Sequence, residues 1–136
     1  MNLFVYGTLM EPRVMAAVAG RAPAPIPAIV HDHARYTVAG EVYPGMTPEA
    51  GAQVVGILYL DLDHEELRRL DRFEGDFYQR SKVQVETQDS QRLPAFTYLV
   101  KPQYRHRLAP ERWDFDAFLR DGLGRFLSDY AGFRQR

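Results

Sequence analysis

Asn2-Leu3-Phe4-Val5-Tyr6-Gly7-Thr8-Leu9-Met10-Glu11-Pro12 is the stretch that decides the fold. Residues 2–6 are β-prone and stop at a glycine, which predicts a short buried strand. Pro12 stands where a first helical turn accepts proline, and Gly20 stands where a helix stops. Between them Val14, Met15 and Val18 share one face, which predicts a helix over 12–19. The chain therefore opens strand, tight turn, helix. Backbone N–H groups of Gly7, Thr8 and Leu9 then point outward at the turn, beside the positive end of the helix dipole. Such a turn suits a carboxylate or phosphate. A single glycine between strand and helix is also, and more commonly, only a turn.

Working outward, Pro23, Pro25 and Pro27 predict an extended edge or connector over 21–27. Residues 28–38 read as a strand and Tyr43-Pro44-Gly45 as a turn. Residues 52–60 read as a central strand, with Gly56 marking a bulge or a close backbone approach. Asp63 and Glu66 have the spacing of a capping box. The helix they start turns Leu67 and Leu70 to one face and ends near Gly75. Strands follow over 77–87 and 93–100, joined through the polar residues 88–92. Over 114–130, Phe115, Phe118, Leu119, Leu123, Phe126, Leu127 and Tyr130 form a helical apolar stripe, which Gly122 and Gly124 weaken. That stripe suits core or a dimer surface better than a membrane anchor. The sum is an α+β fold: a mixed sheet, curved or closed, with two or three helices outside it, in one domain spanning 1–136.

Composition narrows the function classes. The chain has 136 residues, enough for one sizeable core. Lys and Arg total 17 and Asp and Glu total 18, so the net charge of −1 gives no nucleic-acid footprint. There is no cysteine, hence no disulfide, thiol nucleophile or thiolate metal site. The N-terminus lacks the pattern of a signal peptide, and no apolar run approaches the ~20 residues that span a bilayer. The expectation is a cytoplasmic protein with a small-molecule ligand and neither nucleic-acid nor membrane partner.

Glu74 is the acid to weigh. It stands at the C-terminal end of its helix, where the dipole disfavours an anion, and Asp71 precedes it by one turn. Both features raise a carboxyl pKa toward the range of a general base. The alternative is a solvated acid at a helix end. Tyr78 and Arg80, two apart on a strand, share a face. They serve either a pocket or sheet packing, with Arg80 paired to Asp71 or Glu74. Tyr6 either touches ligand or packs under the loop, and Tyr43 and Tyr98 are candidates to line a pocket. His31 and His33 share a strand face but have no third metal ligand nearby. Lys101, Arg105 and Arg107 form a modest basic stretch, read as a solvated loop or a lid. Ser81, Ser90 and Ser128 lack a nucleophile context.

Tyr6-Gly7-Thr8-Leu9 after a first strand, then Leu70-Asp71-Arg72-Phe73-Glu74-Gly75 and Tyr78-x-Arg80, together resemble the γ-glutamylcyclotransferase-like superfamily. Tyr43-Pro44-Gly45 and Gly56-x-Leu58-Tyr59 resemble its intervening segments. The tail with Trp113-Asp114-Phe115 looks most like the avirulence-induced branch. The resemblance implies a small, mostly antiparallel β-barrel with flanking helices, a monomer or homodimer. It implies that the amides of Gly7, Thr8 and Leu9 hold the α-carboxylate of a γ-glutamyl group, with Tyr6, Tyr78 and Arg80 around the substrate. It places Glu74 as general acid/base for cyclisation to 5-oxoproline, with no metal or organic cofactor. The competing reading is a binding module that senses a γ-glutamyl or other small acidic metabolite.

Overall fold

The structure, a computed structural model, describes residues 1–134, with side chains to residue 128. Strand β1 (Leu3–Val5) leads through a 3-10 turn (Thr8–Met10) into helix α1 (Pro12–Ala19). Two long strands, β2 (Ile26–Val38) and β3 (Pro44–Tyr59), form a hairpin before helix α2 (His64–Glu74). A second hairpin, β4 (Tyr78–Thr87) and β5 (Arg92–Val100), precedes a 3-10 segment (Pro102–Arg107) and strand β6 (Leu108–Arg112). The chain finishes with a short helical turn α3 (Phe115–Ala117), a π-helical turn (Phe118–Gly122) and helix α4 (Leu123–Arg134).

The sheet order is β3-β1-β5-β4-β2-β6, and β2 also pairs with β3. That last pairing closes five strands into a barrel and leaves β6 as an appendage on β2. Among the described residues only β1 and β5 run parallel, meeting at Leu3 and Phe96, while the other pairs are antiparallel. The two-residue period of β1 explains why all of it is apolar. Phe4 and, just past the strand, Tyr6 enter a cluster with Val30, Met46, Leu58 and Val85, which fills the barrel. Leu3 and Val5 turn the other way, into a cluster with Val14, Met15, Leu67, Leu70, Trp113 and Phe118 that seats the helices. Gly56 marks a close approach: a Cβ there would meet the Val5 carbonyl oxygen at 2.3 Å and Phe4 Cζ at 2.7 Å.

The capping box of α2 is present, with Glu66 N–H donating to Asp63 Oδ1 at 2.7 Å and Asp63 N–H to Glu66 Oε1 at 3.0 Å. Arg21 grips the same Glu66 carboxylate at 2.5 and 2.9 Å, tying the end of α1 to the start of α2. Three expectations change. Residues 26–27 belong to β2, because Ile26 and Pro27 pair with Leu58 and Ile57 at the strand's start, where proline is tolerated. Pro44-Gly45 opens β3 and pairs with Thr37 and Tyr36, so the reversal lies in residues 39–43, with Gly40 at φ 78°. Strand β6, with Pro110 inside it, has no counterpart in the sequence reading and pairs only with β2. The tail helix is present but broken by the π-turn at Gly122; the side chain of Tyr130 lies outside the described residues. Among the described residues, no helix is long and apolar enough to cross a membrane.

Candidate active site

The turn after β1 is built by what holds its carbonyls. Met10 and Glu11 N–H donate to the Gly7 and Thr8 carbonyls at 3.0 and 3.2 Å, forming the 3-10 turn. Tyr59 Oη donates to the Leu9 carbonyl at 2.9 Å, and Arg35 Nη1 to the Tyr6 carbonyl at 2.7 Å. Among the described residues, none of the N–H groups of Gly7, Thr8 and Leu9 donates to a protein acceptor. Three donors at a loop lining a cleft are therefore available to one acceptor group. The dipole of α1 adds less than its position promised, because Glu11 caps that helix and pairs with Arg13 at 2.7 Å. Gly7 lies flat against Pro44; a Cβ on it would meet Pro44 Cγ and Cδ at 2.8 and 2.9 Å. Tyr78 Oη holds that proline by donating to the Pro44 carbonyl at 2.6 Å.

The cleft over this turn has a volume of about 1470 Å³. The start of β3 and helix α2 wall it with Tyr43, Pro44, Phe73 and Glu74, and α4 contributes Arg125 and Phe126. Glu74 is half-buried and makes no hydrogen bond or ion pair among the described residues. Burial, and secondarily the negative charge of Asp71, raise its carboxyl pKa to about 8. The helix-end argument gave the right direction, but desolvation by the cleft walls is the larger cause. Asp71 itself is occupied: it accepts from Tyr98 Oη at 2.7 Å and pairs with Arg80 at 3.6 Å.

Four tyrosines surround Glu74 closely enough to feel its charge: Tyr6, Tyr43, Tyr78 and Tyr98. Three have committed hydroxyls. Tyr6 Oη donates to the Tyr98 carbonyl at 2.5 Å and accepts from Met46 N–H at 3.2 Å, so its phenol packs under the loop instead of offering a ligand contact. Tyr98 bonds Asp71 and Tyr78 bonds Pro44. Tyr43 alone of the four has a hydroxyl without a partner among the described residues, and burial raises its pKa. Of the two readings of Arg80, the geometry is that of sheet packing: it does not line the cleft, but stacks over Phe96 at 4.8 Å and pairs with Asp71. The basic stretch does not cover the cleft. Lys101 and Tyr104 clamp Asp76, and Tyr104 stacks on Phe77 at 5.6 Å, fixing the turn just after Glu74. His31 pairs with Glu86 at 2.7 Å, and His33 bonds the His31 carbonyl at 2.9 Å. The cleft residues from α4 and Phe73 escaped sequence reasoning, because nothing local says where the last helix docks.

A five-stranded closed barrel with an acid at the end of α2 facing an amide-rich turn defines a cyclotransferase-type fold. Residues 3–115 match the family described as gamma-glutamyl cyclotransferase, AIG2-like, and the chain belongs to that family. AIG2-like protein C of Arabidopsis thaliana is 35% identical over 116 residues, covering 85% of this chain and 67% of the relative. A solution structure from Arabidopsis thaliana superposes with a TM-score of 0.74 at 27% identity, covering 95% of this chain and 87% of that one. A gamma-glutamyl cyclotransferase superposes with a TM-score of 0.65 at 18% identity, covering 74% of this chain and 66% of that one, a likeness of fold alone.

Proposed function

We propose that the protein cyclises a γ-glutamyl amine or peptide to 5-oxoproline and releases the amine. One observation carries this reading: an unpaired, half-buried carboxyl with its pKa raised to about 8 shares a cleft with three uncommitted backbone N–H groups. The amides of Gly7, Thr8 and Leu9 hold the α-carboxylate. The α-amino nitrogen attacks the γ-carbonyl carbon of the same molecule, and the enzyme's task is to fold the chain into a near-attack shape. Glu74 accepts the proton from the attacking nitrogen and returns it to the leaving nitrogen as the amide C–N bond breaks. With its pKa raised to about 8, Glu74 lies much nearer to an amine than an ordinary carboxyl does, which lowers the cost of passing the proton between them. Tyr43, with its unpartnered hydroxyl in the cleft, is available to the carbonyl oxygen of the tetrahedral intermediate.

The test is a screen of γ-glutamyl amino acids, glutathione, γ-glutamyl amines and ε-(γ-glutamyl)-lysine, reading 5-oxoproline by mass spectrometry. The expected result is product from the native protein and none from Glu74→Gln. Free glutamate in place of the cyclic product makes it a hydrolase. Binding without any product makes it a sensing module.

A further inference from the structure

Arg35 is a cation on strand β2 that does not line the cleft, yet its guanidinium is half-buried among backbone oxygens. Its Nη1 donates to the Tyr6 carbonyl at 2.7 Å and to the Val55 carbonyl at 3.2 Å. The indole of Trp113 lies over the guanidinium at 5.4 Å, and the Asp114 carboxylate acts on it electrostatically. Trp113 is itself fixed, donating Nε1–H to the Val42 carbonyl at 2.8 Å. A charged group held by a ring, two carbonyls and a nearby carboxylate has one orientation and little freedom to leave it.

We infer that Arg35 is the positioning residue of the amide cradle, setting the direction and the donor strength of the Gly7 N–H through the peptide it shares with Tyr6. The Tyr6 carbonyl and the Gly7 N–H belong to one peptide unit, and no peptide bond among the described residues is cis. In a trans peptide these two groups point to opposite sides of the chain. Gripping the oxygen from the β2 side therefore aims the N–H at the cleft, which Gly7 lines and Arg35 does not. The positive charge on the oxygen also draws electron density from the nitrogen, making that N–H a better donor to an anion. Val55, whose carbonyl Arg35 also holds, adjoins Gly56, the residue that brings β3 against β1. One side chain thus ties the barrel seam and the C-terminal Trp113 to the cradle. The inference rests on the cradle reading above.

The experiment uses ¹⁵N-labelled full-length protein and 5-oxoproline as the carboxylate probe. In the native protein the amides of Gly7, Thr8 and Leu9 shift on titration. In folded Arg35→Met, the Gly7 amide moves upfield before any probe is added, and the dissociation constant rises about tenfold, the loss of one charge-assisted hydrogen bond acting through the peptide. Arg35→Lys keeps the charge on a shorter, non-planar head that does not reproduce the guanidinium's position against both carbonyls and Trp113, so it recovers part of that loss. With a donor from the screen, KM rises in step while kcat stays within about twofold, because the cradle holds ground and transition states alike. A merely structural Arg35 lowers the melting temperature and leaves the Gly7 shift and the affinity of the folded fraction unchanged, which overturns the inference. If Arg35→Met does not fold, Arg35→Lys carries the test, and native-like Gly7 shift and affinity there overturn it. Native amides that ignore 5-oxoproline sink the cradle reading and this inference together; native amides that respond while the variants match them sink Arg35 alone.

Discussion

Glu74 sits where an ionised carboxyl gains little. It forms no ion pair among the described residues, Asp71 stands one turn back, and burial in the cleft strips away water. Its pKa of about 8 makes two predictions. First, kcat/KM rises with pH, is half-maximal near 8 and levels off above it, and Asp71→Asn moves that limb down by less than about one unit, since the like charge is the smaller cause. A pH–rate profile of both proteins checks this; identical limbs would mean that the Asp71 charge is not felt. Second, folded Glu74 keeps its proton to about pH 8, whereas the unfolded chain loses it near 4.5. Between those values the folded state holds more protons, so this group's contribution is complete below about 4.5 and drains away as pH rises through 8. Glu74→Gln cannot ionise. Its stability relative to native should grow by about 2–3 kcal/mol from pH 5 to pH 9, after discounting for partial exposure. Urea denaturation at both pH values measures it, and a pH-independent difference refutes it. The direction of this shift was legible in the sequence, where Asp71 one turn before Glu74 is its secondary cause. Its main cause was not, because the walls come from β1, β3 and α4. For the same reason the two readings of Arg80 could not be separated in sequence: it does share a strand with Tyr78, but the cleft lining does not include it, and it pairs with Asp71.

At the scale of elements, what reads locally came through and what depends on a partner did not. The capping box of α2 is two hydrogen bonds within four residues, so the pattern suffices. Pro44-Gly45 reads as a turn in isolation, yet pairing with Thr37 and Tyr36 extends the strand across it. That pairing has a functional consequence, because it sets Pro44 against Gly7 with Tyr78 behind it. Gly7→Val should therefore displace the turn. A Cβ there already stands 2.8 Å from the proline ring, before the branched methyls are counted. The expected cost is about 1–3 kcal/mol in stability and at least about tenfold in 5-oxoproline affinity as the three N–H groups lose alignment. Thermal melting and the same titration measure both. A folded Gly7→Val protein with native affinity would remove the case for the cradle.

Over the whole molecule, the barrel joins residues far apart in sequence, and the helices pack on the outer cluster that β1 shares with the inner one. The family match covers residues 3–115 and stops before α4, so the apolar stripe was visible but its docking site was not. The structure seats that helix on the cleft. Phe126 meets Phe73, the residue before Glu74, edge-on at 5.9 Å within the cleft lining, and Phe118 at 6.0 Å. Helix α4 is thus part of what desolvates the acid. Phe126→Ala should cost about 1–2 kcal/mol, less than a fully buried phenylalanine. It should also admit water to Glu74 and bring its pKa down from about 8. The lower limb of the pH–rate profile then moves to lower pH while the plateau falls only modestly, since no reacting group is lost. Both changes come from one substitution distant in sequence from the acid. If stability drops and the limb stays in place, the last helix merely packs against the barrel, and the burial that perturbs Glu74 comes from α2 and the strands alone.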